Sequence, residues 1–185
     1  MLPLQVQALD RCTDFIPDVR AAHIQYFGYN SPWWYGVGQL KQESACRANV
    51  TAFDAGMGIA QFMPVTAKDI KKQMGAPDLD PYNPEHAIRM QAFYMAKLHK
   101  QNWAEDKPLW MTYQAYNGGW GNLKSEYNRA GETDWQAMKD QCRRKTITLK
   151  SGNKLDFCEV NYSYSLQVYK YGKIYRNGTD RMRFW

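Results

Sequence analysis

The chain has 185 residues, of which 44% are apolar, 15% aromatic and 23% charged, and its mean hydropathy is −0.67. That length and balance predict one domain with a real core and exclude a disordered tail, a low-complexity segment or a bilayer-spanning run of about 20 apolar residues. Net charge is +6, yet residues 1–140 carry 14 Lys/Arg against 15 Asp/Glu, whereas residues 141–185 carry 10 against 3. The positive field therefore sits around Arg143-Arg144-Lys145 and on to Arg181 and Arg183, where it favours an anionic partner.

The first residues, Met1 to Gln7, lack a basic start followed by an apolar stretch, so no secretory signal peptide is expected. Pro17 opens a helical segment that closes at Gly28. Ser31-Pro32 is a cap followed by proline at the first helical position, opening a helix expected to run to about Arg47. Gly56 and Gly58 mark a loop rich in small residues. Pro64 starts a helix that Gly75 stops. Asn83-Pro84-Glu85 repeats the cap-then-proline pattern, and Ala87, Gln91, Tyr94 and Leu98 then share one helical face. Pro108 begins a segment ending at Gly118-Gly119, and Asp134 caps a helix through Cys142. Ile147-Thr148-Leu149 and Leu155-Asp156-Phe157 flank Lys150-Ser151-Gly152-Asn153-Lys154, a strand–turn–strand pattern. A Tyr-rich helix follows from about Glu159 to Tyr171. The expected architecture is mainly α with one small β element.

Cys12, Cys46, Cys142 and Cys158 lack the spacing of a zinc site, and His23, His86 and His99 do not cluster, so no metal and no cofactor are expected. Either the thiols stay reduced and buried, or two bridges form in an oxidising compartment, with three pairings open. The hairpin between them favours Cys142–Cys158, a closure worth about 3 kcal/mol on the chain-entropy account.

Glu43 is the candidate catalytic group. Gly36, Gln39 and Leu40 lie on its face of the helix, and Trp33-Trp34-Tyr35 lie near that helix's start. A carboxyl on such a face is partly desolvated, which raises its pKa toward the range of a general acid at neutral pH.

Three blocks surround this reading: Gln42-Glu43-Ser44, then Gly58-Ile59-Ala60-Gln61-Phe62-Met63-Pro64-Val65-Thr66-Ala67, then Ala115-Tyr116-Asn117-Gly118-Gly119-Trp120-Gly121. In this order and at these separations they resemble the catalytic domain of soluble lytic transglycosylases, lysozyme-like enzymes that cut peptidoglycan. The resemblance runs from about Pro32 to Tyr175, and Asp80-Pro81 with Ala87-Ile88 and Tyr94 looks like the family's linking helix. It implies a two-lobed, lysozyme-like helical domain over residues 1–185, with a saccharide groove between the lobes and the basic segment 141–185 packed on it. By that resemblance Glu43 is the single acid/base, and Ser44 lies close to the bound sugar. Gln61 borders the groove, and Tyr116 and Asn117 face the cleaved sugar. Glu159 followed by Tyr162 resembles a further Glu/Tyr element of the groove, at unusual spacing. The run Ala55-Gly56-Met57-Gly58 exchanges the first two small residues of the usual pattern. Ala87 stands where an Asn is common, and Gln91 where a Gly is common.

The implied reaction needs one carboxyl group where most glycosidases need two. Glu43 protonates the oxygen between N-acetylmuramic acid and N-acetylglucosamine. It then takes the proton of the muramyl C6 hydroxyl, which closes a 1,6-anhydro ring. Asp54, eleven residues after Glu43, has two readings: a turn-capping residue, or a carboxylate that holds a water and makes the enzyme a hydrolase like goose-type lysozyme. Trp103, Trp110, Trp120 and Trp135 are candidate sugar platforms, with Trp120 favoured because it adjoins Tyr116-Asn117.

The expected partners are peptidoglycan glycan strands and, through the basic end, anionic envelope polymers, with the protein acting as a monomer. A nucleic-acid-binding module is the reading from another class, but it leaves the three blocks unexplained. The lack of a signal peptide, with the small size, looks like a bacteriophage endolysin or virion-carried lysin, passing from host cytoplasm to wall through a membrane pore or with the particle. A bacterial secretion-system hydrolase is the alternative carrier.

Overall fold

The computed structural model describes residues 10–105, 107–149, 151–178 and 182–185. The N-terminal stretch Met1–Gln7, Lys150 of the hairpin turn and Arg181 of the basic end lie outside the described residues. Among the described residues the chain forms eight α-helices and one two-stranded antiparallel ribbon, the mainly α architecture the sequence predicts.

Local chemistry sets most boundaries. A 3-10 turn, Arg11–Phe15, is capped by the Asp10 carboxylate, which accepts from the Cys12 N–H. Helix α1, Ile16–Phe27, carries Pro17 in its first turn, where no N–H is needed, and stops at Gly28 in a positive-φ conformation. Helix α2 spans Trp34–Ser44, shorter at both ends than the cap at Ser31 and an end near Arg47 would give. Ser31 instead turns its hydroxyl to His23 Nδ1 at 3.3 Å. The C-terminus of α2 is fixed by two successive left-handed residues, Ala45 at φ 52° and Cys46 at φ 57°, the second held by a disulfide to Cys12. That bridge spans 34 positions of sequence, a closure worth about 4 kcal/mol on the chain-entropy account. Glu43 therefore stands in the last turn of α2, where unpaired carbonyls make the local field unfavourable to a negative charge.

Helix α3, Pro64–Gln73, and helix α4, Pro84–Gln101, both begin at proline, and the Asn83 side chain accepts from the His86 N–H as the sequence suggests. Helix α5, Leu109–Gly118, and helix α6, Trp120–Ala130, share Gly119 as the end of one and the start of the other, at φ 85°. Helix α7, Trp135–Asp140, is capped by Asp134. Strands β1, Thr146–Thr148, and β2, Lys154–Asp156, pair with Ile147 opposite Leu155. The Cys142–Cys158 disulfide closes this ribbon at its base. Helix α8, Phe157–Gly172, follows at once, capped by the Asp156 carboxylate.

The core is built on α2 against α8, with α4 and α5 beside them. Tyr35, Val37, Leu40, Ile88, Met95, Trp110, Met111, Tyr162 and Val168 are all buried there. The α2–α8 contact is made backbone to backbone: a Cβ on Gly38 would lie 2.4 Å from the Gly172 nitrogen and 2.6 Å from the Val168 carbonyl oxygen. Only glycine permits that approach, and it brings the following residue, Gln39, to the tyrosines of α8.

Candidate active site

Around Glu43, in the last turn of α2, stand Tyr164 from α8, Tyr116 from α5 and Asp54 from the loop between α2 and α3. The Tyr164 hydroxyl on α8 donates to Glu43 Oε1. Burial pushes the Glu43 carboxyl up to about 8, opposed by the Tyr164 hydrogen bond and reinforced by the negative charge of Asp54. The residue itself is only half-buried, so the acid is desolvated yet reachable from the surface, the condition for a proton donor at neutral pH. Tyr116 on α5 stands close enough for the Glu43 charge, together with burial, to hold its phenol well above the usual range. Burial first, then the same carboxyl, does the same to Tyr164. Both phenols are therefore neutral donors at working pH.

The remaining expected site residues fall into three groups. Ser44, Gln61 and Tyr116 brace the loop that forms one wall. Ser44 is buried and donates to the Ile59 carbonyl at 2.8 Å. Tyr116 donates to the Ala60 carbonyl at 2.8 Å. Gln61, itself at φ 53°, donates from Nε2 to the Gly58 carbonyl at 2.7 Å and to the Val50 carbonyl at 3.3 Å. Gly58 is fixed by geometry: its φ is +68°, and a Cβ there would sit 1.8 Å from the Pro81 carbonyl oxygen. The hydroxyl of Ser44, expected near the sugar, is thus spent on loop closure.

Asn117 belongs to the cleft. It is exposed at the end of α5, with Oδ1 accepting from Asn161 Nδ2 at 2.8 Å. Asn117, Asn122, Lys145, Phe157, Asn161 and, from the opposite loop, Asp54 line a cleft of about 540 Å³. Asp54 is the turn cap of its first reading, with Oδ1 accepting from the Gly56 N–H at 3.3 Å, and the residue lines this cleft.

Trp120, Glu159 and Tyr162 lie elsewhere. Trp120 is half-buried and packs edge-on against Trp103, with ring centroids 4.9 Å apart. Glu159 is exposed and pairs with Lys139 at 3.1 Å. Tyr162 is fully buried and donates to Glu126 Oε2 at 2.8 Å, and Arg144 holds the other oxygen of that carboxylate at 3.0 Å. The Glu/Tyr element expected in the groove is therefore a surface ion pair and a buried structural network. The phenol that meets Glu43 is Tyr164, two residues further on. Tyr164, Val168 and Gly172 recur at helical spacing along the buried stripe of α8 facing α2. That spacing is the signal the sequence held for Tyr164.

Among the described residues no group of three or more His, Cys, Asp or Glu is placed to hold a metal ion. A mainly helical domain with one desolvated carboxyl at the end of α2, held by a phenol from α8, has the lysozyme-like fold. Residues 33–139 match the model of the transglycosylase SLT domain, and the chain belongs to that family. Among solved structures it is similar to the 70 kDa soluble lytic transglycosylase Slt70 from Escherichia coli, with TM-score 0.64 and 22% identity over 89% of this chain and 26% of that one. It is also similar to the complex of the 70-kDa soluble lytic transglycosylase with bulgecin A, with TM-score 0.64 and 22% identity over 84% of this chain and 23% of that one. The chain thus spans about a quarter of the length of these proteins. No curated protein sequence matches significantly.

Proposed function

We propose that this chain is a peptidoglycan lytic transglycosylase in which Glu43 is the one acid/base. The observation that carries the reading is the Glu43 carboxyl itself. It is desolvated and raised to about 8, held on one oxygen by the Tyr164 hydroxyl, and set beside Tyr116, the residue before the cleft-lining Asn117. At neutral pH it enters the reaction as the acid and gives its proton to the bridging oxygen of the N-acetylmuramyl–N-acetylglucosamine bond. The C1–O bond breaks, and the substrate's own N-acetyl group stabilises the positive charge at C1. The resulting Glu43 carboxylate is stabilised by the Tyr164 donor. It then takes the proton of the C6 hydroxyl as that oxygen bonds to C1 and closes the 1,6-anhydro ring. Protons balance, no water is consumed, and the carboxyl ends in the state in which it began. Asn117 and the wall braced by Ser44, Gln61 and Tyr116 act by holding the sugar so that the internal hydroxyl reaches C1, which is where intramolecular reactions gain most.

The partner reading changes in one respect. Arg144 is nearly buried in its pair with Glu126, so attraction to anionic envelope polymers falls to Arg143 and Lys145, the latter at the cleft. The two disulfides suit work outside a reducing cytoplasm. The setting we favour is a phage-encoded lysin acting at the bacterial wall.

Digestion of purified peptidoglycan followed by mass analysis of the muropeptides tests the function. Anhydro ends, one water lighter than reducing ends, are expected from the wild type. Glu43→Gln is expected to lower the rate by at least about a hundredfold. Reducing ends as the main product would make the enzyme a hydrolase, and near-normal lysis by Glu43→Gln would remove the assignment altogether.

A further inference from the structure

The hydrogen bond at Glu43 does not end at Tyr164. Gln39 Nε2 on α2 donates to the Tyr164 hydroxyl oxygen at 3.1 Å. Gln39 Oε1 in turn accepts from Gln91 Nε2 on α4. Both glutamines have no exposed surface, and Tyr164 has almost none. Gln91 lies against the ring of His23 from α1, which burial lowers to about 4 and so keeps neutral. Four elements thus converge on one line of polar groups inside an otherwise apolar core.

An amide is directional, with a donor at one end and an acceptor at the other. In the orientation found, Gln39 supplies a proton to the phenol oxygen, and the phenol's own proton is left for Glu43. Turned over, Gln39 would present Oε1 to the phenol, accept that proton, and leave Glu43 facing a lone pair. The first arrangement favours a carboxylate at Glu43, because a charged acceptor gains most from a donor. The second favours the carboxylic acid, which would donate into the chain. The orientation of one buried amide therefore biases the protonation of a group two bonds along.

We propose that Gln91 is a positioning residue: by donating to Gln39 Oε1 it locks that amide, and through it points the Tyr164 proton at Glu43. The lock counteracts the burial that would otherwise keep the acid protonated through the second half of the reaction, where Glu43 must act as base. The inference rests on the acid/base role proposed for Glu43. The other titratable groups bearing on that carboxyl are Tyr116 from α5 and Asp54 from the loop, with Tyr94 from α4 acting on Tyr116. None of them touches either glutamine through a hydrogen bond described above, so their influence stays constant when the lock is removed.

Gln91→Met keeps the length of the side chain and removes the donor. The Glu43 carboxyl is titrated in the free enzyme by NMR with carbon-13 at the glutamate carboxyl carbon, and the pH profile of anhydro-muropeptide release is recorded beside it. The Glu43 midpoint is expected to rise by about one pH unit in Gln91→Met, the usual reach of one hydrogen bond to a charged group. The alkaline limb of the profile moves up with it, kcat falls and KM holds. Adding Gln39→Leu removes the competing acceptor and is expected to return at least half of the displacement, a reversal that a merely structural role would not produce. Gln91→Leu, which also lacks the donor and carries no charge, serves as second variant and is expected to displace the midpoint in the same direction. A folded Gln91→Met or Gln91→Leu with an unmoved Glu43 midpoint overturns the lock, as does a double variant that fails to return. The carboxyl titration needs no substrate, so it stands or falls separately from the products of the wild type.

Discussion

Glu43→Gln should change stability as well as activity, with a sign opposite to that of most substitutions at buried hydrogen bonds. The carboxyl titrates near 4.5 when solvated and near 8 in the folded protein. Between those values the folded state binds a proton that the unfolded chain has released, so stability falls as pH rises through this window. Below the lower value the cost is absent, and above the upper one it is complete. Each unit of displacement corresponds to about 1.4 kcal/mol, which puts a ceiling of about 5 kcal/mol on the cost of carrying this carboxylate at pH 9. Contact with the cleft surface and relaxation around the charge reduce this, leaving on the order of 2 kcal/mol. Glutamine keeps the acceptor for Tyr164 and carries no charge. Wild type and Glu43→Gln should therefore melt together at pH 4, and the variant should melt several degrees higher at pH 9. Thermal unfolding followed by circular dichroism across that range reads the difference. A gap between the two proteins that stays constant with pH would refute the claim that Glu43 is held protonated by its surroundings.

Three further outcomes follow from contacts around the site and on the basic segment. Ser44→Ala removes the donor to the Ile59 carbonyl; it should cost about 1 to 2 kcal/mol in chemical denaturation and lower kcat, because the wall carrying Gln61 loses its anchor to the helix that carries Glu43. Replacing Arg143 and Lys145 by glutamine should weaken wall lysis at low ionic strength and leave it unchanged at high salt, as screening of an exposed field requires. The same change at Arg144 should unfold the protein more easily, since it strands the buried Glu126.

What was legible in the sequence is what neighbours in sequence decide. Prolines, glycines and capping Asn83 and Asp134 place the helix starts within a residue or two, and the hairpin pattern gives the Cys142–Cys158 bridge. Glu43 stood out because its surrounding blocks are specific. The end of α2 was not legible, because Ala45 and Cys46 take left-handed conformations beside a bridge to Cys12, far away in sequence. Helix α6 was missed because Gly118-Gly119 reads as a stop, whereas Gly119 also serves as the start of a new, largely exposed helix. Tyr164 was hidden among the tyrosines of α8: the Tyr164, Val168 and Gly172 spacing marks a buried stripe but not its partner, and only the meeting of α8 with α2 sends this phenol to Glu43 while Tyr162 goes to Glu126. Gln39 and Gln91 sit on expected helical faces, yet their contact joins residues 52 apart and no pattern in either helix announces it.

The glycine-to-backbone seam between α2 and α8 has a mechanical corollary. Backbone meets backbone at Gly38 and Gly172, and Gln39 and Glu43 of one helix both hold Tyr164 of the other, so the proton donor and the phenol that steadies it travel as one rigid piece. Any opening or closing of the cleft around a long glycan must then be performed by the opposite bank, the loop carrying Asp54 and the ribbon carrying Lys145, while the reacting groups keep their spacing.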